Sequence, residues 1–187
     1  MNVMDALGYL TKTYNLDLKG QLPIELPTMS RIDLAKLFTR LGFTKGVEVG
    51  TRTGVYTNML CRTNPKLKLV GVDLHSTTPK NTLPSNCRLV KMSSLTAVRR
   101  VVNGSMDFVY LDTERDLAST LVDISEWVKK VRVGGIIAGH DYFRYHAKNN
   151  VYTRQGVIAY ARTNHITPWF VTGRVTDRVR SWFWVKA

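Results

Sequence analysis

The sequence predicts an α/β fold in which a mostly parallel sheet is sandwiched between helices, and two observations carry that prediction. Short apolar runs alternate with helix-compatible stretches through the middle of the chain, and two aromatic, strand-like segments close it. Strands joined through helices form βαβ crossovers, which place helices on both faces of the sheet and make the strands near-continuous apolar runs.

The elements follow in order. Residues 1–20 and 31–41 (RIDLAKLFTRL) read as helices, the second with Ile32, Leu34, Ala35, Leu37, Phe38 and Leu41 at helical spacing, and a proline-bearing linker, residues 21–29, joins them. The first strand is 46–50 (GVEVG), followed by a helix over 55–62; the second strand is 68–74 (KLVGVDL). A third, 87–92 (CRLVKM), precedes a helix over 94–102, and a fourth, 106–112 (MDFVYLD), precedes one over 117–131. The fifth is 134–139 (GGIIAG). A polar and aromatic stretch without period, 142–152, leads into a helix over 155–163, and then 167–172 (TPWFVT) and 180–186 (RSWFWVK) read as an antiparallel pair. No internal repeat, low-complexity tract or boundary divides the chain, so the expectation is one domain over 1–187, with a helical cap (1–41) on a core (46–187).

A chain of 187 residues buries roughly 70% of its unfolded surface, enough for a core without disulfide or metal staples. Its two cysteines, Cys61 and Cys87, stand in no CxxC pair and near no histidine at ligand spacing, so they read as buried or incidental thiols in a reducing compartment. The first residues lack a basic segment followed by an unbroken apolar one, and no stretch approaches the roughly 20 apolar residues that span a bilayer, which points to a cytoplasmic protein without a membrane partner. Lys and Arg number 27 against 14 Asp and Glu, a net charge of +13. That charge raises the attraction for any polyanion and keeps a nucleic-acid partner open, but a basic groove and a merely basic surface are alike at this level.

The chemistry begins at the first βα turn, Glu48-Val-Gly-Thr-Arg-Thr-Gly54. In an open parallel sheet the ligand crevice lies beyond the carboxyl ends of the strands where their order reverses. There Gly50 lets the backbone bend, Gly54 lets the following helix sit close, and free N–H groups face an anionic group. The spacing is GxxxG; it is neither the GxGxxG of dinucleotide enzymes nor the GxxxxGK[ST] of nucleotide triphosphatases. About twenty residues on, the second strand ends in Asp73, where a carboxylate can accept two hydrogen bonds from ribose hydroxyls. Together the two features suggest an adenosine-bearing ligand; an ordinary tight turn and a turn cap are the alternative readings of each alone.

The run GVEVGTRTGVYTNML, the strand-end Asp73 and the segment FVYLDTERDLASTLVDISEWVKKVRVGGIIAGHDYF resemble the class I S-adenosylmethionine-dependent methyltransferases, in particular the small-molecule O-methyltransferase group whose fifth strand ends in GHDY. The resemblance covers about residues 31–187 and is most specific over 108–143. It implies a Rossmann-like three-layer sandwich with a seven-stranded, mostly parallel sheet closed by a C-terminal antiparallel hairpin. It also implies S-adenosylmethionine as cofactor, with Glu48, Gly50 and Thr51, in the turn that ends at Gly54, on the methionine end, Asp73 on the ribose, and Met92 with Ser93 at the adenine edge.

One departure bears on mechanism. Relatives commonly carry Asp-Gly-Asp-His after the fourth strand, whereas this chain reads Asp112-Thr-Glu-Arg115: Glu114 replaces the second acid, and Arg115, whose guanidinium keeps its proton at neutral pH, replaces the histidine. Asp112 and Asp141 end adjacent parallel strands and are expected to open into one crevice, where they could hold Mg²⁺ with substrate oxygens, or order water, the cofactor or the loop backbone. Metal-dependent relatives have two acids after the fifth strand; here the pair is His140-Asp141. His140 is the candidate general base, since an imidazole titrates near neutrality, and a structural bond to a neighbouring loop is its alternative. His75 reads as the edge of the adenosine pocket or as solvent-facing.

The acceptor is less legible. Residues 142–154 (YFRYHAKNNVYTR) follow the fifth strand and should overhang the crevice, so Tyr142, Phe143, Tyr145 and Tyr152 with Arg144, Lys148 and Arg154 read as an aromatic and basic lid, with Glu114, Tyr142 and Arg144 as substrate contacts. The mixture suits a planar or anionic small molecule, and equally a nucleotide. Arg99-Arg100 and Lys129-Lys130 fall near helix C-termini, where the helix dipole favours cations, while the connection Arg174, Arg178, Arg180 reads as an anion-site candidate on a loop. By the resemblance, the absence of Asn/Asp-Pro-Pro-Tyr/Phe after the fourth strand and of a Pro-Cys pair argues against base methylation. Three readings stand: O-methylation of a small hydroxylated acceptor such as a sugar or phenol, methylation of RNA or another polyanion, and cofactor binding without catalysis. Whether the chain forms a homo-oligomer stays open.

Overall fold

The central apolar runs become strands because their side chains are covered on both sides. The computed structural model describes residues 5–79, 82–113, 116–144, 151–173 and 179–187. Its helices are α1 (Ala6–Tyr14), α2 (Arg31–Arg40), α3 (Val55–Thr63), α4 (Ser94–Val98), α5 (Leu117–Trp127, continued by a 3-10 turn, Val128–Lys130) and α6 (Val151–Thr163). Its strands are β1 (Ile24–Leu26), β2 (Lys45–Val49), β3 (Lys68–Val72), β4 (Cys87–Val90), β5 (Met106–Leu111), β6 (Val131–Arg144), β7 (Phe170–Thr172) and β8 (Val179–Val185). They form one sheet in the order β1-β7-β8-β6-β5-β2-β3-β4, parallel throughout except for β8, which runs against both β6 and β7.

The expected seven strands are eight. The addition is β1, inside the stretch that reads as a linker: Ile24, Glu25 and Leu26 pair in parallel with Phe170, Val171 and Thr172. Three residues bounded by Pro23 and Pro27 carry no alternation that sequence reading can detect, and only the pairing with β7 makes them a strand. β6 is also longer than 134–139, reaching Arg144 through a register shift between Gly139 and Phe143 opposite β8.

Two cores flank the sheet. On one face α1, α2 and α3 pack onto Phe108, Tyr110, Ile136 and Ala138, with Phe38 stacked on Phe108 at 4.1 Å between ring centroids. Gly46 is part of this packing, because a Cβ there would stand 2.3 Å from the Phe108 ring. On the other face α4, α5 and α6 cover Val109, Leu111, Ile137, Trp182 and Trp184, with Trp127 fully buried. Neighbours in sequence alternate between the two cores along β5, as the pleat requires. Ser30 caps α2 in a reciprocal box with Asp33. Cys61 is buried, Cys87 is half-buried, and neither is in a disulfide. Among the described residues no helix is long and apolar enough to cross a membrane.

The chain builds β2, β3 and β4 outward in one direction, then returns to lay β5 on the other side of β2. The order therefore reverses between β2 and β5, and a crevice opens beyond their carboxyl ends.

Candidate functional site

Gly50 and Asp112 meet at that reversal. Gly50 adopts φ +93°, and a Cβ on it would lie 2.0 Å from the Asp112 carbonyl oxygen, so only glycine allows the two strand ends to approach this closely. The Gly50 N–H donates to the Val72 carbonyl (2.7 Å) and the Asp112 N–H to that of Val49 (2.8 Å), which fixes the turn between both neighbouring strands. Gly54, at φ +76°, caps α3 with no side-chain bond, and its missing Cβ leaves space for Thr78.

Asp73 stands just past β3 and accepts two backbone hydrogen bonds: from Arg52 N–H on Oδ2 (2.6 Å) and from His75 N–H on Oδ1 (2.7 Å). In return the Arg52 carbonyl accepts from Thr77 N–H and from the hydroxyls of Ser76 and Thr78. The turn after β2 is thus stitched to the loop after β3, and Arg52 is held at φ +44°, a strained value for a non-glycine residue.

These loops bound a cleft of about 610 Å³. Glu48, Gly50, Thr51, Asp73, His75, Asp112 and His140 all line it, so the sequence-predicted residues of the first turn, the second strand end and the fourth strand end converge. Met92 and Ser93 are not among its lining residues: Ser93 caps α4 through a bond from Thr96 N–H, and Met92 packs partly buried on the core. Gly54 shapes the turn without lining the cleft. Arg31 and Tyr56 are lining residues that sequence reading does not single out. Arg31 begins α2, its guanidinium lies 5.2 Å over the Tyr56 ring, and Tyr56 donates its hydroxyl proton to the Arg31 carbonyl. No pattern in the sequence marks it, because its place depends on how α2 packs across α3.

Glu48 is buried, and its Oε2 accepts from the Thr57 hydroxyl at 2.5 Å. Burial pushes its carboxyl up to about 8, with the Asp112 charge adding to the rise, while the Thr57 bond and the Arg31 cation pull the other way. At neutral pH the cleft floor therefore carries a protonated acid. In the same cleft the buried Thr51 hydroxyl has no hydrogen-bond partner among the described residues.

His140 and Asp141 sit in the β6 irregularity opposite β8, with Asp141 at φ +57°. His140 Nδ1 lies 3.4 Å from an oxygen of Asp112 and 3.4 Å from one of Asp141. The His140 carbonyl accepts from Trp182 Nε1 at 3.1 Å, which ties the irregularity to β8. One atom each from Asp112, His140 and Asp141 lies within 4.8 Å of the others, so the three could hold a divalent cation. Asp112 lines the cleft, and Asp141, 4% exposed, shares with Asp112 and His140 a small void beside it.

The remaining expected contacts fall elsewhere. Tyr142 is buried and faces a different cavity, packed edge-on against Trp169 at 5.7 Å. Arg180 is not on a loop: it belongs to β8, and its Nε donates to the Thr172 carbonyl. Glu114, Arg115, Tyr145, Lys148, Arg174 and Arg178 lie outside the described residues, as do the side chains of Phe143 and Arg144.

Residues 47–142, just over half of the chain, match a protein family described as "Methyltransferase domain". No curated protein sequence matches. Among solved structures, a candidate caffeoyl-CoA O-methyltransferase from Staphylococcus aureus superposes with TM-score 0.66 at 11% identity, over 100% of this chain and 93% of that one. A candidate O-methyltransferase from Klebsiella pneumoniae gives 0.62 at 16% identity, over 87% and 84%. One from Nostoc punctiforme gives 0.66 at 14%, over 83% of this chain but 55% of its own length. At these identities the likeness is one of fold.

Proposed function

This chain belongs to the methyltransferase-domain family, an enzyme family that uses S-adenosylmethionine, and we propose from that premise that it methylates an oxygen of a small hydroxylated acceptor. One observation carries the choice of oxygen: a histidine flanked by two carboxylates stands in the wall of the cofactor-sized cleft.

The residues present fit the cofactor. Thr51 offers a buried hydroxyl that lacks a partner, Asp73 keeps lone pairs for ribose hydroxyls beyond its two backbone bonds, and Glu48 can lose its proton to face an ammonium group. S-adenosylmethionine supplies an electrophilic methyl group on a sulfonium, and aligning the acceptor oxygen with it while excluding water provides most of the acceleration. Within this frame His140 takes the hydroxyl proton as the oxygen attacks. The imidazolium so formed lies between Asp112 and Asp141, whose negative charges stabilise it. Those three residues would also be the ones to hold a divalent cation, which would supply Lewis-acid polarisation of the acceptor oxygen; with an imidazole among the donors the set suits a transition metal better than Mg²⁺.

The test is release of S-adenosylhomocysteine from S-adenosylmethionine over a panel of phenols, sugars and amines, with the product located by mass and NMR. The reading expects turnover with the methyl on oxygen; transfer to nitrogen or carbon overturns it.

A further inference from the structure

A second cavity is larger than the cofactor cleft. It measures about 1100 Å³ against about 610 Å³ and runs along the β1 edge of the sheet, between α6 and the segments that enter β1 and β7. Arg154, Ile158 and Arg162 line it, spaced by four residues along one face of α6, with His165 next after the helix. At 1.5 Å per residue the two arginines stand about 12 Å apart along the axis. Arg154 is held over the Tyr142 ring at 5.7 Å, and Tyr142 is braced by Trp169. A third guanidinium, Arg180, is 8% exposed and fixed by Thr172 and by Glu25 (2.9 Å). Glu25 is the acid in this wall; among the described residues neither Arg154 nor Arg162 has a carboxylate within ion-pair distance.

Tyr142 lines this cavity and is two residues from His140, which lines the cleft, so the backbones of the two walls are no more than about 7 Å apart at this point. The guanidinium fork matches phosphate oxygens two at a time, and two such forks presented from one helix face suit a ligand that carries more than one phosphoryl group.

We propose that this cavity is the anchoring subsite of the methyl acceptor and binds an extended phosphate ester with two or more phosphoryl groups. The inference rests on the reading of the neighbouring cleft as the methyl-donor site. Arg154 and Arg162 carry the anion, while Arg180, already paired, fixes the inner wall.

The test is calorimetric titration of the protein with inorganic tripolyphosphate at about 150 mM salt, where distant surface charges are screened, with S-adenosylhomocysteine present to fill the cleft. R154Q/R162Q is compared with R99Q/R100Q, which removes the same two charges from an exposed helix end. The proposal expects affinity for tripolyphosphate to fall about tenfold or more in the first variant and to stay within about twofold of wild type in the second. A six-nucleotide single strand titrated in parallel identifies the source of the phosphates: loss of tripolyphosphate alone in the first variant assigns a pyrophosphate-type ester, loss of both assigns a phosphodiester strand, and loss confined to the strand overturns the subsite. Equal losses in both variants, or no binding by wild type, overturn the subsite. S-adenosylhomocysteine titrated alone reports separately on the cleft, so its failure to bind is not confused with failure of the phosphate site.

Discussion

The backbone N–H of Arg52 donates to the carboxylate of Asp73 at 2.6 Å across 21 residues of sequence. The acid placed to hold a ribose is therefore also the clasp between the two loops that form the cleft. Asp73→Ala removes both functions. It should weaken S-adenosylhomocysteine binding by about tenfold or more and lower stability by about 1.5–3 kcal/mol, the range for hydrogen bonds to a charged group. Titration and urea melts of the same variant check this; unchanged affinity in a folded variant would remove Asp73 from the ribose.

Gly50 and Gly42 make a matched pair. Both have positive φ, but a Cβ on Gly42 meets nothing within 4 Å, whereas one on Gly50 strikes the Asp112 carbonyl. Gly42→Ala should cost only the backbone strain, about 1 kcal/mol. Gly50→Ala must push β2 and β5 apart, with a cost of about 3 kcal/mol or more and loss of cofactor binding. Equal melting temperatures for the two variants would contradict the close approach.

Glu48 makes stability depend on pH. Its carboxyl is raised from 4.5 to about 8 in the folded protein, so between those values the folded state holds a proton that the unfolded state has released. That contribution to stability is full below pH 4.5 and declines by up to about 1.4 kcal/mol per pH unit until it is lost near pH 8. Glu48→Gln keeps an oxygen for the Thr57 hydroxyl and has nothing to ionise. Denaturation at pH 5, 6.5 and 8 should show a shallower decline in the variant; parallel declines would mean that Glu48 is ionised throughout.

His140→Ala should leave S-adenosylhomocysteine affinity within about twofold and lower turnover by about 10² to 10⁴, the usual contribution of a positioned base. Turnover within about threefold of wild type in a folded His140→Ala variant would assign the base elsewhere.

What was legible in the sequence follows from where burial is complete. β2, β3 and β5 are covered on both faces, so their side chains form near-continuous apolar runs, and the glycine and acids at their ends mark the crevice. β1 was hidden because three residues between prolines acquire strand character only from β7. The full length of β6 was hidden because its last residues owe their pairing to β8 and pass through an irregularity at His140 and Asp141. Arg31 and Tyr56 reach the cleft through the packing of α2 on α3, and that contact has no periodicity of its own. The burial of Asp141 beside His140 depends in the same way on its left-handed backbone within that irregularity.

If the cleft between β2 and β5 is an S-adenosylmethionine site, calorimetric titration with S-adenosylmethionine, S-adenosylhomocysteine and NAD should show the first two binding at one site per chain, both weakened by Asp73→Ala, and no binding of NAD. Binding of NAD, or of none of the three to the folded protein, would contradict that assignment.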